Sequence, residues 1–110
     1  MKFPFLSAFL LAIAAAASLR AVEIVAHRGA SFDAPENTLA SEKLAWKQNA
    51  DAVETDIWLT KDGKIIVSHD KVTKRTTGQE KSVPETDFAE LRKLDAGRWK
   101  AESFAGEKLP

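Results

Sequence analysis

Residues 52–70 read AVETDIWLTKDGKIIVSHD, and the fold turns on how this stretch is divided. Ala52 to Ile57 is apolar and β-branched apart from Glu54 and Asp56, which sit two apart and so share one face of a strand. Lys61-Asp62-Gly63-Lys64 carries the Asp-Gly signal of a tight hairpin turn, far shorter than the crossover that joins parallel strands. A third strand, Ile65 to Ser68, then runs into His69-Asp70. Centring the hairpin on Asp62-Gly63 makes facing residues sum to 125, so Trp58 meets Val67 and Asp56 meets His69. The expectation is a carboxylate pair and an imidazole gathered at one end of the sheet.

Upstream, Val22 to Ala26 forms a short β-prone run that feeds the loop His27-Arg28-Gly29. Asn37 or Thr38 caps a helix running to about Gln48, with Leu39, Ala40, Leu44 and Ala45 as its buried stripe. Strand, helix and further strands make an α/β class, and the helix between the first two strands fits a βαβ unit. Downstream, KVTKRTTGQEKS (residues 71–82) reads as a polar surface loop. Asp87 and Glu90 have capping-box spacing for a helix presenting Phe88, Leu91 and Leu94, stopped near Gly97.

The chain has 110 residues, no cysteine, and 16 basic against 16 acidic side chains. Residues 1–21 have the layout of a secretory signal peptide: Lys2, an apolar centre, then an alanine-rich cleavage region. Cleavage would leave residues 22–110, with no stable membrane span, to be exported to a periplasmic or extracellular space. No Lys/Arg run remains in that portion, so the footprint of a nucleic-acid binder is missing.

Two carboxylates on a mostly apolar face repel each other and lose hydration, which calls for a counter-charge. An all-oxygen pair suits Mg²⁺, Ca²⁺ or Mn²⁺ better than zinc. Simple solvation on an exposed face is the bland alternative, and the flanking Val53, Ile57 and Trp58 weigh against it. His27 and His69 are the only histidines, and each ends a strand beside a charged neighbour (Arg28 or Asp70). Structural histidines often sit so, but a pair can divide acid and base roles. Arg28 offers a fork suited to phosphate oxygens. With no candidate Ser or Cys nucleophile, these residues suggest hydrolysis of a phosphate ester. Arg75-Thr76-Thr77-Gly78 is open between a phosphate-contacting loop and a surface turn.

AHRGAS (26–31), APENTLAS (34–41), ADAVETDIWLTKDGKIIVSHD (50–70), RTTG (75–78), LDAGRW (94–99) and FAGEKLP (104–110) together resemble, in order and spacing, the glycerophosphodiester phosphodiesterases. The resemblance runs from about Val22 to the last residue. It implies a TIM-type (β/α)₈ barrel with its site at the carboxyl ends of the strands, and hydrolysis of glycerophosphodiesters to glycerol 3-phosphate and an alcohol. It also implies a divalent cation (Ca²⁺ or Mg²⁺) held by Glu54 and Asp56, with His27 and His69 as the acid/base pair. Arg28 becomes a phosphate contact and Glu36 a supporting residue. The family takes a further carboxylate ligand from a later strand, for which these residues offer no counterpart. Since such a barrel needs ~250 residues, the chain is read as its amino-terminal portion, inactive in isolation. The alternatives are another barrel-type phosphodiesterase acting on phospholipid head groups, or a non-catalytic secreted remnant.

Overall fold

A computed structural model of the chain describes residues 22–110; the signal-peptide reading of residues 1–21 falls outside the described residues. The first strand, β1 (Val25–His27), pairs in parallel with β2 (Ala52–Glu54), and α1 (Leu39–Lys47) lies between them in sequence. The βαβ expectation therefore holds. The register sets Val25 against Ala52, Ala26 against Val53 and His27 against Glu54. Turn chemistry starts the helix: Thr38 accepts from the Ser41 amide while Ser41 Oγ accepts from the Thr38 amide, a reciprocal cap. The buried face of α1 is carried by Ser41 and Ala45, whereas Leu39, expected in the core, is half exposed. Ser41 is inside because its hydroxyl also donates to the Arg28 carbonyl, 3.1 Å away.

The strand expected over residues 52–57 is two strands. It breaks after Glu54 and resumes as β3 (Ile57–Leu59), which forms an antiparallel hairpin with β4 (Ile65–Val67). Asn37 accounts for the break. Its Oδ1 accepts from the Asp56 amide at 3.2 Å and from the Thr55 hydroxyl at 2.9 Å, so a side chain holds the backbone there in place of a ladder partner.

The hairpin register also departs from the expectation. Ile57 faces Val67, Trp58 faces Ile66 and Leu59 faces Ile65, so facing numbers sum to 124. The turn holds three residues, with Thr60 N donating to Lys64 O (2.8 Å), Gly63 N to Thr60 O (2.9 Å), and Gly63 at φ +73°. That is the three-residue loop closed by a left-handed glycine, in place of the two-residue one. Thr60 selects it: its hydroxyl accepts from Lys64 N and donates to Asp62. Asp56 consequently faces Ser68, whose amide donates to the Asp56 carbonyl at 3.0 Å, and not His69.

The core sits beneath this hairpin. Ile66, Val83, Leu91, Leu94, Ala96 and Leu109 are buried together, with Trp58 and Phe88 packed against them. The segment expected as a loop is folded: α2 (Lys74–Thr77), a Val72–Ser82 bridge and a 3₁₀ turn at Val83–Glu85 deliver Val83 to the core. The last helix, α3 (Phe88–Leu91), is short and lacks the expected capping box, since the Asp87 side chain makes no cap bond and Glu90 pairs with Lys93 instead. Its inward face, Leu91 and partly Phe88, is as the spacing predicts. Asp95 gathers the amides of Gly97, Arg98 and Gly106, which fold the last segment back on itself. Among the described residues two separate two-stranded sheets result, α/β as expected and without a closed barrel. No helix among the described residues is long and apolar enough to cross a membrane.

Candidate functional site

His27 ends β1 directly across from Glu54, and its Nε2 lies 3.8 Å from Glu54 Oε2. The imidazole is largely exposed and the carboxylate less so. The next residue, Arg28, is left-handed at φ +58°, a conformation disfavoured for a side chain of this kind. Three backbone contacts hold it there. Its amide donates to Glu54 Oε2 at 3.1 Å, and its carbonyl accepts from the Asn37 amide (3.0 Å) and the Ser41 hydroxyl. Strain offset by such over-determination is characteristic of a functional position.

The turn aims the Arg28 guanidinium between two acids. Nη1 donates to Glu36 Oε1 at 3.2 Å, while Nε lies 3.3 Å from Asp56 Oδ2. That second contact is a charge pairing without hydrogen-bond alignment, and the buried Nε has no hydrogen-bond partner among the described residues. Asn37, itself left-handed at φ +56° and 2% exposed, donates Nδ2 to Asp56 Oδ2 at 3.0 Å. One buried amide thus fixes both the backbone and the carboxylate of Asp56.

His69 belongs to the same cluster through a longer path. Its Nδ1 lies 2.6 Å from Asp70 Oδ1, and its carbonyl accepts from the Trp58 indole at 3.2 Å. Asp70 Oδ2 accepts from Arg75 Nε at 2.7 Å, and Arg75 grips Glu36 through both terminal nitrogens at 2.9 and 2.7 Å. The expected direct pairing of Asp56 with His69 is replaced by this chain: His69, Asp70, Arg75, Glu36, Arg28, Asp56. The Arg75 hydrogen bond, helped by that from His69, holds the Asp70 carboxyl at about 2. Arg75 also lowers the pKa of Glu36, with a smaller push from Arg28. Both acids are therefore carboxylates at neutral pH, and Arg75 is held more firmly protonated in return.

Two arginines face four acids (Glu36, Glu54, Asp56 and Asp70) in this cluster, an excess of two formal negative charges before the histidines are counted. Glu54 and Asp56 each use one carboxylate oxygen on Arg28 or Asn37, and the other oxygen takes no hydrogen bond among the described residues. Such a donor set fits part of the oxygen shell of a hard divalent cation. It does not complete one, for no group of three potential ligands occurs among the described residues.

Of the residues singled out in the sequence, His27, Arg28, Glu36, Glu54 and Asp56 form one contact group, and His69 joins it through Asp70 and Arg75. Asn37 was read only as a possible cap, and helix α1 uses Thr38 instead. Its signal was present: asparagine tolerates the left-handed region, and a carboxylate pair needs donors. Arg75 binds carboxylates here, a role that neither reading of its loop anticipated.

Residues 27–110 match the Glycerophosphoryl diester phosphodiesterase family. A glycerophosphodiester phosphodiesterase of Caldanaerobacter subterraneus subsp. tengcongensis is 47% identical over 87 residues, which cover 79% of this chain and 36% of the relative. Among solved structures, a glycerophosphodiester phosphodiesterase from Agrobacterium tumefaciens superposes with TM-score 0.79 at 41% identity, covering 82% of this chain and 39% of that one. A phosphodiesterase from Oleispira antarctica, solved with the product sn-glycerol-3-phosphate, superposes with TM-score 0.78 at 44% identity, covering 81% and 36%. The chain spans a little over a third of the length of these relatives.

Proposed function

Because the chain belongs to the glycerophosphoryl diester phosphodiesterase family, we propose that residues 22–110 supply the acid/base groups and part of the cation site for hydrolysis of a glycerophosphodiester to glycerol 3-phosphate and an alcohol. His27 and His69 divide the proton transfers: one imidazole takes a proton from the attacking oxygen, the other gives one to the departing alcohol oxygen. Arg28 contacts a phosphate oxygen, with Glu36 supporting its guanidinium. The observation that carries this reading is the left-handed Arg28, whose amide and guanidinium tie Glu54, Glu36 and Asp56 together beside His27.

Glu54 and Asp56 are the residues that would hold a divalent cation, Ca²⁺ or Mg²⁺. When bound, such an ion neutralises charge on the phosphate. The net negative charge of the cluster and the free oxygen on each carboxylate support this assignment. Asn37 orients the Asp56 carboxylate through its Nδ2 bond to Oδ2. The substrate is a small molecule and not a nucleic acid, consistent with the absence of a basic run. Export is proposed from the composition of residues 1–21 alone.

The test is release of glycerol 3-phosphate from glycerophosphocholine by a polypeptide carrying this segment, before and after chelation and re-addition of Ca²⁺ or Mg²⁺. Activity lost on chelation and restored by one of the two ions is expected, with His27→Ala and His69→Ala each nearly inactive. Full activity after metal stripping, or near-normal turnover in His69→Ala, overturns the reading.

A further inference from the structure

Arg75 lies outside every role assigned so far, yet it spends three donors on two acids from different parts of the chain. Glu36 precedes α1, and Asp70 follows β4. Exposed single ion pairs contribute little, and Arg75 is close to half exposed. Two features set this contact apart. The grip on Glu36 is bidentate, a geometry that a planar guanidinium matches and an ammonium does not. The platform beneath it is also fixed. Thr73, 1% exposed, donates its hydroxyl to Gln79 O at 2.6 Å and accepts from the Lys81 amide, while the Thr77 hydroxyl donates to Thr73 O. Helix α2 is thereby tied at both ends, with Gly78 in the left-handed region closing it.

The consequence falls on His69. Asp70 is a carboxylate, acceptor-only, so an imidazole nitrogen 2.6 Å from its Oδ1 has to be the one carrying hydrogen. That fixes hydrogen on Nδ1 and, in the neutral imidazole, leaves Nε2 bare. Arg75 Nε, on the other oxygen of Asp70, keeps that carboxylate from rotating away. We propose that Arg75 is a positioning residue: by bridging Asp70 and Glu36 it locks His69 in the Nδ1–H tautomer and sets that imidazole in register with the Glu36–Arg28 half of the site. The inference rests on His69 as an acid/base group, and it adds what orients that group.

The test reads the tautomer directly and needs no turnover. With two histidines in the chain, ring ¹⁵N spectra of the full chain above neutral pH are simple, and the single-histidine variants assign them. In the wild type, the His69 Nδ1 signal is expected at the N–H end of the range and Nε2 at the bare-nitrogen end. In Arg75→Gln the two His69 signals should move toward each other as the tautomers interconvert, while those of His27 stay in place. Arg75→Lys, which keeps charge but not the fork, should move them partway. A wild-type His69 with the tautomer mixture of a free imidazole overturns the proposal, as does an Arg75→Gln spectrum identical to the wild type. Where Arg75→Gln loses its backbone amide dispersion, Arg75→Lys decides: His69 signals unchanged from the wild type overturn the proposal. Failure of the hydrolytic reading would appear in the glycerol 3-phosphate assay and leave these spectra as they are, so the two ideas fail separately.

Discussion

Replacing Asn37 tests the join between fold and site more sharply than replacing a histidine would. Asn37 is buried at φ +56°, donates to Asp56 Oδ2, and accepts from the Asp56 amide and the Thr55 hydroxyl. In Asn37→Ala the side-chain bonds vanish. The hydrogen bond to a charged carboxylate is worth ~1.5–3 kcal/mol, and the half-buried Asp56 amide left without its acceptor adds ~1. Holding alanine in the left-handed region costs ~1 kcal/mol more. Water can replace the partner of Thr55, which is exposed, so the total is about 3.5–5 kcal/mol. Asn37→Gly loses the same bonds but not the left-handed penalty, so glycine should be milder than alanine by about 1 kcal/mol. That order is the reverse of the usual one at a buried site in regular structure. Urea denaturation of the three proteins, compared at equal slope, measures it. Alanine equal to or better than glycine, or both within ~0.5 kcal/mol of the wild type, would refute the account of Asn37 as the cause of the β2–β3 break.

Gly29→Ala should be among the most damaging changes in the loop after β1: Gly29 is at φ +76°, and an added Cβ would fall 2.5 Å from Ser41 Oγ and 2.6 Å from the Ser41 carbonyl carbon. The expected loss is about 2–5 kcal/mol, from the left-handed penalty and the clash with the helix cap, and a midpoint shift near zero in the same urea experiment would contradict the packing. Acid should loosen the Arg75 cluster. The folded pKa values of Asp70 and Glu36 are lowered, Arg75 being the largest cause in both, so their contribution is present above the unfolded values near 4 and is lost as pH falls through the lowered folded values, about 2 for Asp70. For Asp70, a third of whose side chain is in solvent, screening reduces this to about 1 kcal/mol; thermal melts at pH 7, 4 and 2.5 should show the loss in the wild type and less of it in Arg75→Gln.

Local chemistry was legible wherever one residue's preference decided the outcome. A helix start at Asn37 or Thr38, the Asp62-Gly63 hairpin turn and the β1–α1–β2 order all follow from short-range rules acting on neighbours in sequence. So did the candidate residues, because two carboxylates on a strand and two strand-end histidines are unusual enough to stand out. What the sequence alone misjudged were relations between distant segments. A one-residue difference in the hairpin loop, set by the Thr60 hydroxyl, moved the partner of Asp56 from His69 to Ser68. The break between β2 and β3 is imposed by Asn37, 18 residues from Thr55 in sequence, and no periodicity within residues 52–57 records it. Likewise the polar run of residues 71–82 looks solvated in composition, yet Thr73 is pulled inside, and Arg75 reaches Glu36, 39 residues away. Propensity and pattern are written in neighbouring residues, so the sequence determined the elements and the chemistry they carry. Which carboxylate meets which cation depends on long-range approach and a single loop residue, and only the tertiary structure could decide that.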